Sequence, residues 1–136
     1  MSKNGYIVAG TDTDVGKTVF AAALTRALEA TYYKPVQAGT STETDTETVA
    51  RLSGRGAGSV LPEVYRLKMA ASPHLAAAAE GIEIDCARLE VLPTTSPLIV
   101  ELAGGVMVPL TTQMVFIDII GAWDLPLILC ARTSLG

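Results

Sequence analysis

Short apolar runs alternate with polar, glycine-bounded segments along this chain. Tyr6-Ile7-Val8-Ala9 is apolar, ends at Gly10, and reads as a buried strand. After a polar loop, Thr18 to Ala30 is rich in Ala and Leu, holds no Gly or Pro, and reads as a helix. Tyr32 to Val36 predicts a second strand, bounded by Pro35 and Gly39. Strand, helix and strand in about thirty residues make a βαβ unit, which requires parallel strands and a right-handed crossover.

Gln37 to Thr48 is a polar loop with three acids and no base. Thr46 to Leu52 predicts a short helix stopped by Gly54, and residues 53–63 are Gly-rich and irregular. Pro73 to Glu80 reads as a helix with Pro at its start and Gly81 just past its end. Asp85 is placed to cap another. Leu98 to Glu101 predicts a third strand followed by an Ala-Gly-Gly turn, and Phe116 to Trp123 a helix. Leu127 to Ala131, apolar at every position, predicts a fourth strand that needs cover on both faces. An α/β alternation normally continues beyond such a strand, so the expectation is a chain that lacks the C-terminal part of its parent domain.

Composition narrows the class. The 136 residues fit a single domain, 1–136, and 49% hydrophobic residues exclude intrinsic disorder. A net charge of −4 without a Lys/Arg cluster argues against nucleic-acid binding. Mean hydropathy is +0.38. Even so, the longest charge-free apolar stretch, Leu102 to Ile117, is too short to span a bilayer and carries Gly104, Gly105 and Pro109. MSKNGYIVAG lacks the apolar region of a signal peptide. Cys86 and Cys130 make no disulfide framework. The expected setting is soluble and cytoplasmic.

The strongest chemical signal is Gly10-Thr-Asp-Thr-Asp-Val-Gly-Lys-Thr18, placed between a strand and a helix as a phosphate-binding loop requires. Loop N–H groups and the helix N-terminus supply fixed positive charge. Lys17 adds a full charge for the β- and γ-phosphates, Thr18 offers a hydroxyl to Mg²⁺, and Gly16 permits close backbone approach. Five residues rather than four separate Gly10 from Gly16, so the usual G-x-x-x-x-G-K-[ST] spacing is exceeded by one.

Other polar residues admit two readings on position alone. Lys34, before Pro35 at a strand end, is either a solvated edge lysine or a cation for phosphoryl charge. Asp45 competes with Glu43 and Glu47 as an acidic-loop ligand. Glu101, a carboxylate closing an apolar strand, is costly unless paired or metal-bound. Thr13 and Asp14 suit local turn chemistry. His74, the lone histidine, carries no catalytic role and rules out a His-based metal cluster.

The longer loop GTDTDVGKT resembles the modified phosphate loop of the dethiobiotin synthetases. YYKPVQAG at 32–39, ASPHLAAA at 71–78, VELAGGVMVPL at 100–110 and the final CARTSLG match in order. The resemblance implies a P-loop NTPase-like α/β domain with a parallel sheet flanked by helices. It implies an ATP- and Mg²⁺-dependent ligase of biotin biosynthesis, working as a homodimer on 7,8-diaminononanoate and CO₂ or bicarbonate. By the same resemblance Lys17, Lys34 and Thr13 are catalytic, with Thr13 facing the substrate carbamate. Asp12, Thr13, Asp14, Val15, Gly16, Lys17, Thr18, Val19, Glu101, Ala103, Gly104 and Gly105 bind the nucleotide, and Thr18, Asp45 and Glu101 hold the metal.

Two departures stand out. Asp14 occupies a position where the family commonly has Glu. Leu102 replaces a family glycine, and the expectation is that its bulk displaces Glu101 or obstructs the dimer-facing loop, and weakens catalysis. The alternative readings are a related amide ligase of the cobyrinic acid synthetase type and a catalytically impaired nucleotide-binding fragment.

Overall fold

The computed structural model describes residues 4–134. Leu135 and Gly136 of the CARTSLG segment, and the first three residues of MSKNGYIVAG, lie outside that range. Strands β1 (Gly5–Gly10), β2 (Thr31–Tyr33), β5 (Leu98–Gly105) and β6 (Leu127–Cys130) form a parallel sheet in the order β2-β5-β1-β6. Strands β3 (Val36–Ala38) and β4 (Tyr65–Leu67) form a separate two-stranded parallel sheet. The helices are α1 (Lys17–Ala27), α2 (Asp45–Leu52), α3 (Pro73–Ala79), α4 (Cys86–Glu90) and α5 (Phe116–Ile120).

This is the parallel α/β architecture expected, with several corrections. The single strand read from Tyr32 to Val36 is two strands broken at Lys34-Pro35. Proline lacks an N–H for the ladder and biases its predecessor, and the chain there leaves one sheet for another. Strand β2 does not pair with β1, because β5 is inserted between them. Strand β4 carries no alternation long enough to mark it in the sequence. Ala103-Gly104-Gly105 is not a turn but the continuation of β5, whose Gly105 pairs with Gly10 across an irregular register.

The shorter helices follow their local signals. Helix α2 begins with a capping box: Thr44 Oγ1 accepts from the Glu47 N–H (3.3 Å), and the Thr44 N–H donates to Glu47 Oε2 (2.7 Å). Asp85 Oδ1 accepts from the Ala87 N–H (3.0 Å) at the start of α4.

Side-chain alternation divides the core between the two sheet faces. Ile7, Ala9, Tyr33, Val100 and Leu102 pack on one face with Phe116 and Trp123. Val8, Tyr32 and Ile99 pack on the other with Ala21 and Ala22 of α1 and Val49 of α2. Strand β6 is an edge strand in the described sheet, and its Leu127 and Leu129 are 40% and 51% exposed, so the cover an all-apolar strand needs is missing on one face. No helix among the described residues is long and apolar enough to cross a membrane.

Candidate active site

The carboxyl ends of β1, β2 and β5 converge, and ligands of open parallel sheets bind at such ends. Strand β1 runs into the phosphate loop, which delivers Gly16 to the N-terminus of α1. Gly16 adopts φ 95°, a left-handed conformation that residues with a Cβ rarely take. Lys17, the first residue of α1, is buried, and its Nζ donates to the Asp12 carbonyl at 2.8 Å. The loop thus folds back on its own lysine.

A cavity of about 900 Å³ opens beside this loop and is lined by Thr13, Lys17, Thr18, Lys34, Asp45 and Glu101, among others. Lys34, at the break between β2 and β3, is 2% exposed. Its Nζ lies 2.8 Å from Asp45 Oδ2, donates to the Leu102 carbonyl at 3.2 Å, and lies 3.5 Å from Glu101 Oε1. Thr18 Oγ1 donates to Glu101 Oε1 at 2.7 Å. Lys34 is therefore not a solvated edge lysine.

The electrostatics follow from this crowding. Burial disfavours charge on both lysines. For Lys34 the neighbouring Glu101 and Asp45 carboxylates outweigh burial and raise the ammonium pKa above its ordinary value. For Lys17 burial dominates, the like charge of Lys34 adds to it, and the pKa falls. The site holds one firmly protonated cation and one that is more readily neutralised.

The three acids that follow β3, Glu43 in the loop and Asp45 and Glu47 in α2, separate by partner. Glu43 Oε1 and Oε2 accept from Arg51 at 2.9 and 2.7 Å, and Glu47 is spent on the α2 cap. Asp45 faces Lys34. The buried side chain of Gln37 sets its backbone, with Oε1 accepting from the Asp45 N–H at 3.1 Å. Gln37 also lines the cavity, a part that position alone did not mark.

The remaining expected residues divide. Thr13, Asp14, Gly16, Val19, Ala103 and Gly104 line the cavity; Asp12, Val15 and Gly105 do not. Asp12 Oδ1 accepts from the Thr13 N–H at 2.7 Å, a local turn bond within the loop. Val15 fills the space beside Gly10, where an added Cβ would lie 2.8 Å from Val15 Cγ2. Gly105 sits against the Thr11 carbonyl.

Leu102 corrects one part of its expectation, the displacement of Glu101. It is fully buried on the face opposite Glu101, within β5, and the positive φ of this segment falls on Gly104 (70°). Glu101 is not displaced: it stays 1% exposed and hydrogen-bonded. It also does not end its strand, because β5 runs on to Gly105.

The donor chemistry suits Mg²⁺. That ion takes one or two carboxylates together with phosphate oxygens and waters. Thr18, Asp45 and Glu101 provide a hydroxyl and two carboxylates around one cavity with room for phosphates. Among the described residues no cluster of three or more acidic, His or Cys side chains suggests a different metal centre.

Comparison with known proteins agrees with this geometry. A family described as "AAA domain" matches residues 4–136. Over 130 residues the chain is 59% identical to an ATP-dependent dethiobiotin synthetase BioD of Rhodopseudomonas palustris, covering 96% of this chain and 61% of that protein. It is 57% identical over 131 residues to the enzyme of the same name from Agrobacterium fabrum (96% and 62%), and 52% identical to that of Brucella anthropi (96% and 62%). The chain thus spans about three fifths of the length of these relatives. A phosphate loop at the end of β1, a parallel sheet and a family match over nearly the whole sequence lead to one conclusion: the chain belongs to the AAA domain family, and within it resembles the dethiobiotin synthetases.

Proposed function

We propose that residues 1–136 form a single P-loop ATP-binding domain that carries the phosphate- and metal-binding part of a cytoplasmic, homodimeric dethiobiotin synthetase. The reaction joins 7,8-diaminononanoate, CO₂ and ATP into dethiobiotin, ADP and phosphate. The observation that carries this reading is the meeting of two buried lysines with Thr18, Asp45 and Glu101 on one cavity beside the phosphate loop.

In the proposed chemistry one substrate amine adds to CO₂ and loses a proton, giving a carbamate. A carbamate oxygen attacks the γ-phosphorus and ADP departs. The second amine attacks the carbonyl carbon, phosphate leaves with the bonding pair, and the nitrogen sheds its proton as the ureido ring closes. Such phosphoryl transfer is governed by positioning and electrostatics.

The loop backbone from Asp12 to Gly16 and the first turn of α1 through Val19 cradle the phosphates. Lys17 exchanges its internal bond to the Asp12 carbonyl for phosphate oxygens. Lys34, held protonated between two carboxylates, balances charge at the transferring group. Thr13 faces the substrate carbamate, and Asp14 with Ala103 and Gly104 of β5 line the nucleotide side of the same cavity. Thr18, Asp45 and Glu101 would hold Mg²⁺, which when bound neutralises phosphate charge.

The test is ATP-dependent incorporation of labelled bicarbonate into dethiobiotin, with 7,8-diaminononanoate supplied. Product that requires both ATP and the diamine supports the reading. ATP binding with no product under any supply of substrates would exclude turnover by this chain.

A further inference from the structure

Tyr32 belongs to none of the roles assigned above, yet it makes the shortest side-chain hydrogen bond to Glu101. It lies in β2 opposite Ile99 of β5, and Glu101 follows two positions on, so both side chains share one sheet face. The Tyr32 hydroxyl donates to Glu101 Oε2 at 2.6 Å, with the two residues 0% and 1% exposed. The other oxygen, Oε1, accepts from Thr18 Oγ1 at 2.7 Å and lies 3.5 Å from Lys34 Nζ. Both of those partners line the cavity. The two oxygens of one carboxylate are therefore divided between a buried phenol and the site.

We infer that Tyr32 is a positioning residue that commits one oxygen of Glu101 and leaves a single oxygen for a divalent cation, biasing the site toward Mg²⁺ over Ca²⁺. Mg²⁺ demands tight octahedral geometry and keeps waters, so a one-oxygen carboxylate suits it. Ca²⁺ has longer bonds and more ligands, and readily takes both oxygens of a carboxylate. A phenol held on Oε2 outside the cavity lining competes with Ca²⁺ for that oxygen and fixes the orientation of the first, whereas the partners of Oε1 line the cavity. Groups that orient metal ligands in this way commonly govern affinity by about 10–100-fold.

The inference rests on the reading of Glu101 as a metal ligand, and the experiment separates the two. Mg²⁺ and, separately, Ca²⁺ are titrated calorimetrically into the unaltered chain and into Tyr32→Phe, each with a non-hydrolysable ATP analogue. The unaltered chain should favour Mg²⁺ beyond the preference of the free analogue. Tyr32→Phe should weaken Mg²⁺ binding about tenfold while Ca²⁺ binding changes by less than about twofold.

Equal losses for both ions would mark Tyr32 as merely structural and overturn the proposal, as would an unchanged ratio. If the variant does not fold, the unaltered chain still decides, since a preference no greater than that of the free analogue overturns the proposal. No metal-dependent binding in the unaltered chain would remove Glu101 as a ligand and take both readings down together.

Discussion

Lys34 and Asp45 meet at 2.8 Å although they belong to different elements, one at the break between β2 and β3 and the other at the start of α2. The same Nζ reaches Glu101 of β5, so one buried cation ties three parts of the fold beside the cavity. Asp45 is about a third exposed, and its half of the arrangement is screened by water. Glu101 is fully enclosed, and the Lys34–Glu101 half is the part that matters for stability.

Removing Lys34 should therefore destabilise the fold through the carboxylate left behind. Breaking one side of a buried ion pair costs about 3–5 kcal/mol. Tyr32 and Thr18 continue to satisfy Glu101, so Lys34→Met is expected to lie at the lower end, about 3 kcal/mol, in urea unfolding at neutral pH. Adding Glu101→Gln should recover part of that loss. An unaltered double-mutant cycle would place the stabilisation elsewhere.

Lys17 should act on phosphate and not on the base or sugar. Charged hydrogen bonds contribute about 1.5–3 kcal/mol. Lys17→Met is expected to weaken ATP binding by about 10- to 100-fold and leave adenosine binding unchanged, as read by calorimetry. Equal weakening of both ligands would contradict a phosphate-specific role.

Leu102→Gly should harm the protein rather than improve it. Leu102 is 0% exposed in the larger core cluster, and its backbone needs no glycine. Large-to-small core changes cost about 2–5 kcal/mol, and glycine in a strand adds up to about 1. A fall in Tm is expected, without a gain in ATP binding. A rise in Tm would show instead that the leucine strains this segment.

Alkaline pH should weaken the fold through Tyr33. Burial raises its phenol pKa, and the charge of Arg88 offsets this only in part. The unfolded chain releases the proton near pH 10, while the folded chain holds it to higher pH. Stability is full below that point and declines as pH rises through the folded value. Tyr32 shares the direction, with burial and Glu101 as its causes. Tyr33→Phe should lose less stability than the unaltered chain when urea midpoints at about pH 8 and about pH 10.5 are compared. Identical losses would assign the alkaline effect to other groups.

Much of the site was legible from local pattern because its parts are local. The phosphate loop is one continuous segment between a strand and a helix, and the α2, α3 and α4 starts carry their own caps or prolines. Strand β4 was not legible, because three residues hold too little alternation to signal anything. The length of β5 was hidden because Gly104 and Gly105 read as a turn until β1 supplied the pairing partner.

The sequence by itself determined the chemistry on offer: a glycine-flanked loop ending in Gly16-Lys17-Thr18, a lysine beside a proline, and acids after the second predicted strand and at the end of the third. Tertiary structure decided which of those groups meet. The insertion of β5 between β1 and β2 brings Glu101 to Thr18, Lys34 and Tyr32, and only that placement separates Asp45 from Glu43 and Glu47. It also turns Leu102 away from the site, since neighbouring strand residues point to opposite faces and only the sheet fixes which face holds the core. Local pattern specifies elements; the pairing of distant strands specifies neighbours, and the active-site candidates are defined by neighbours.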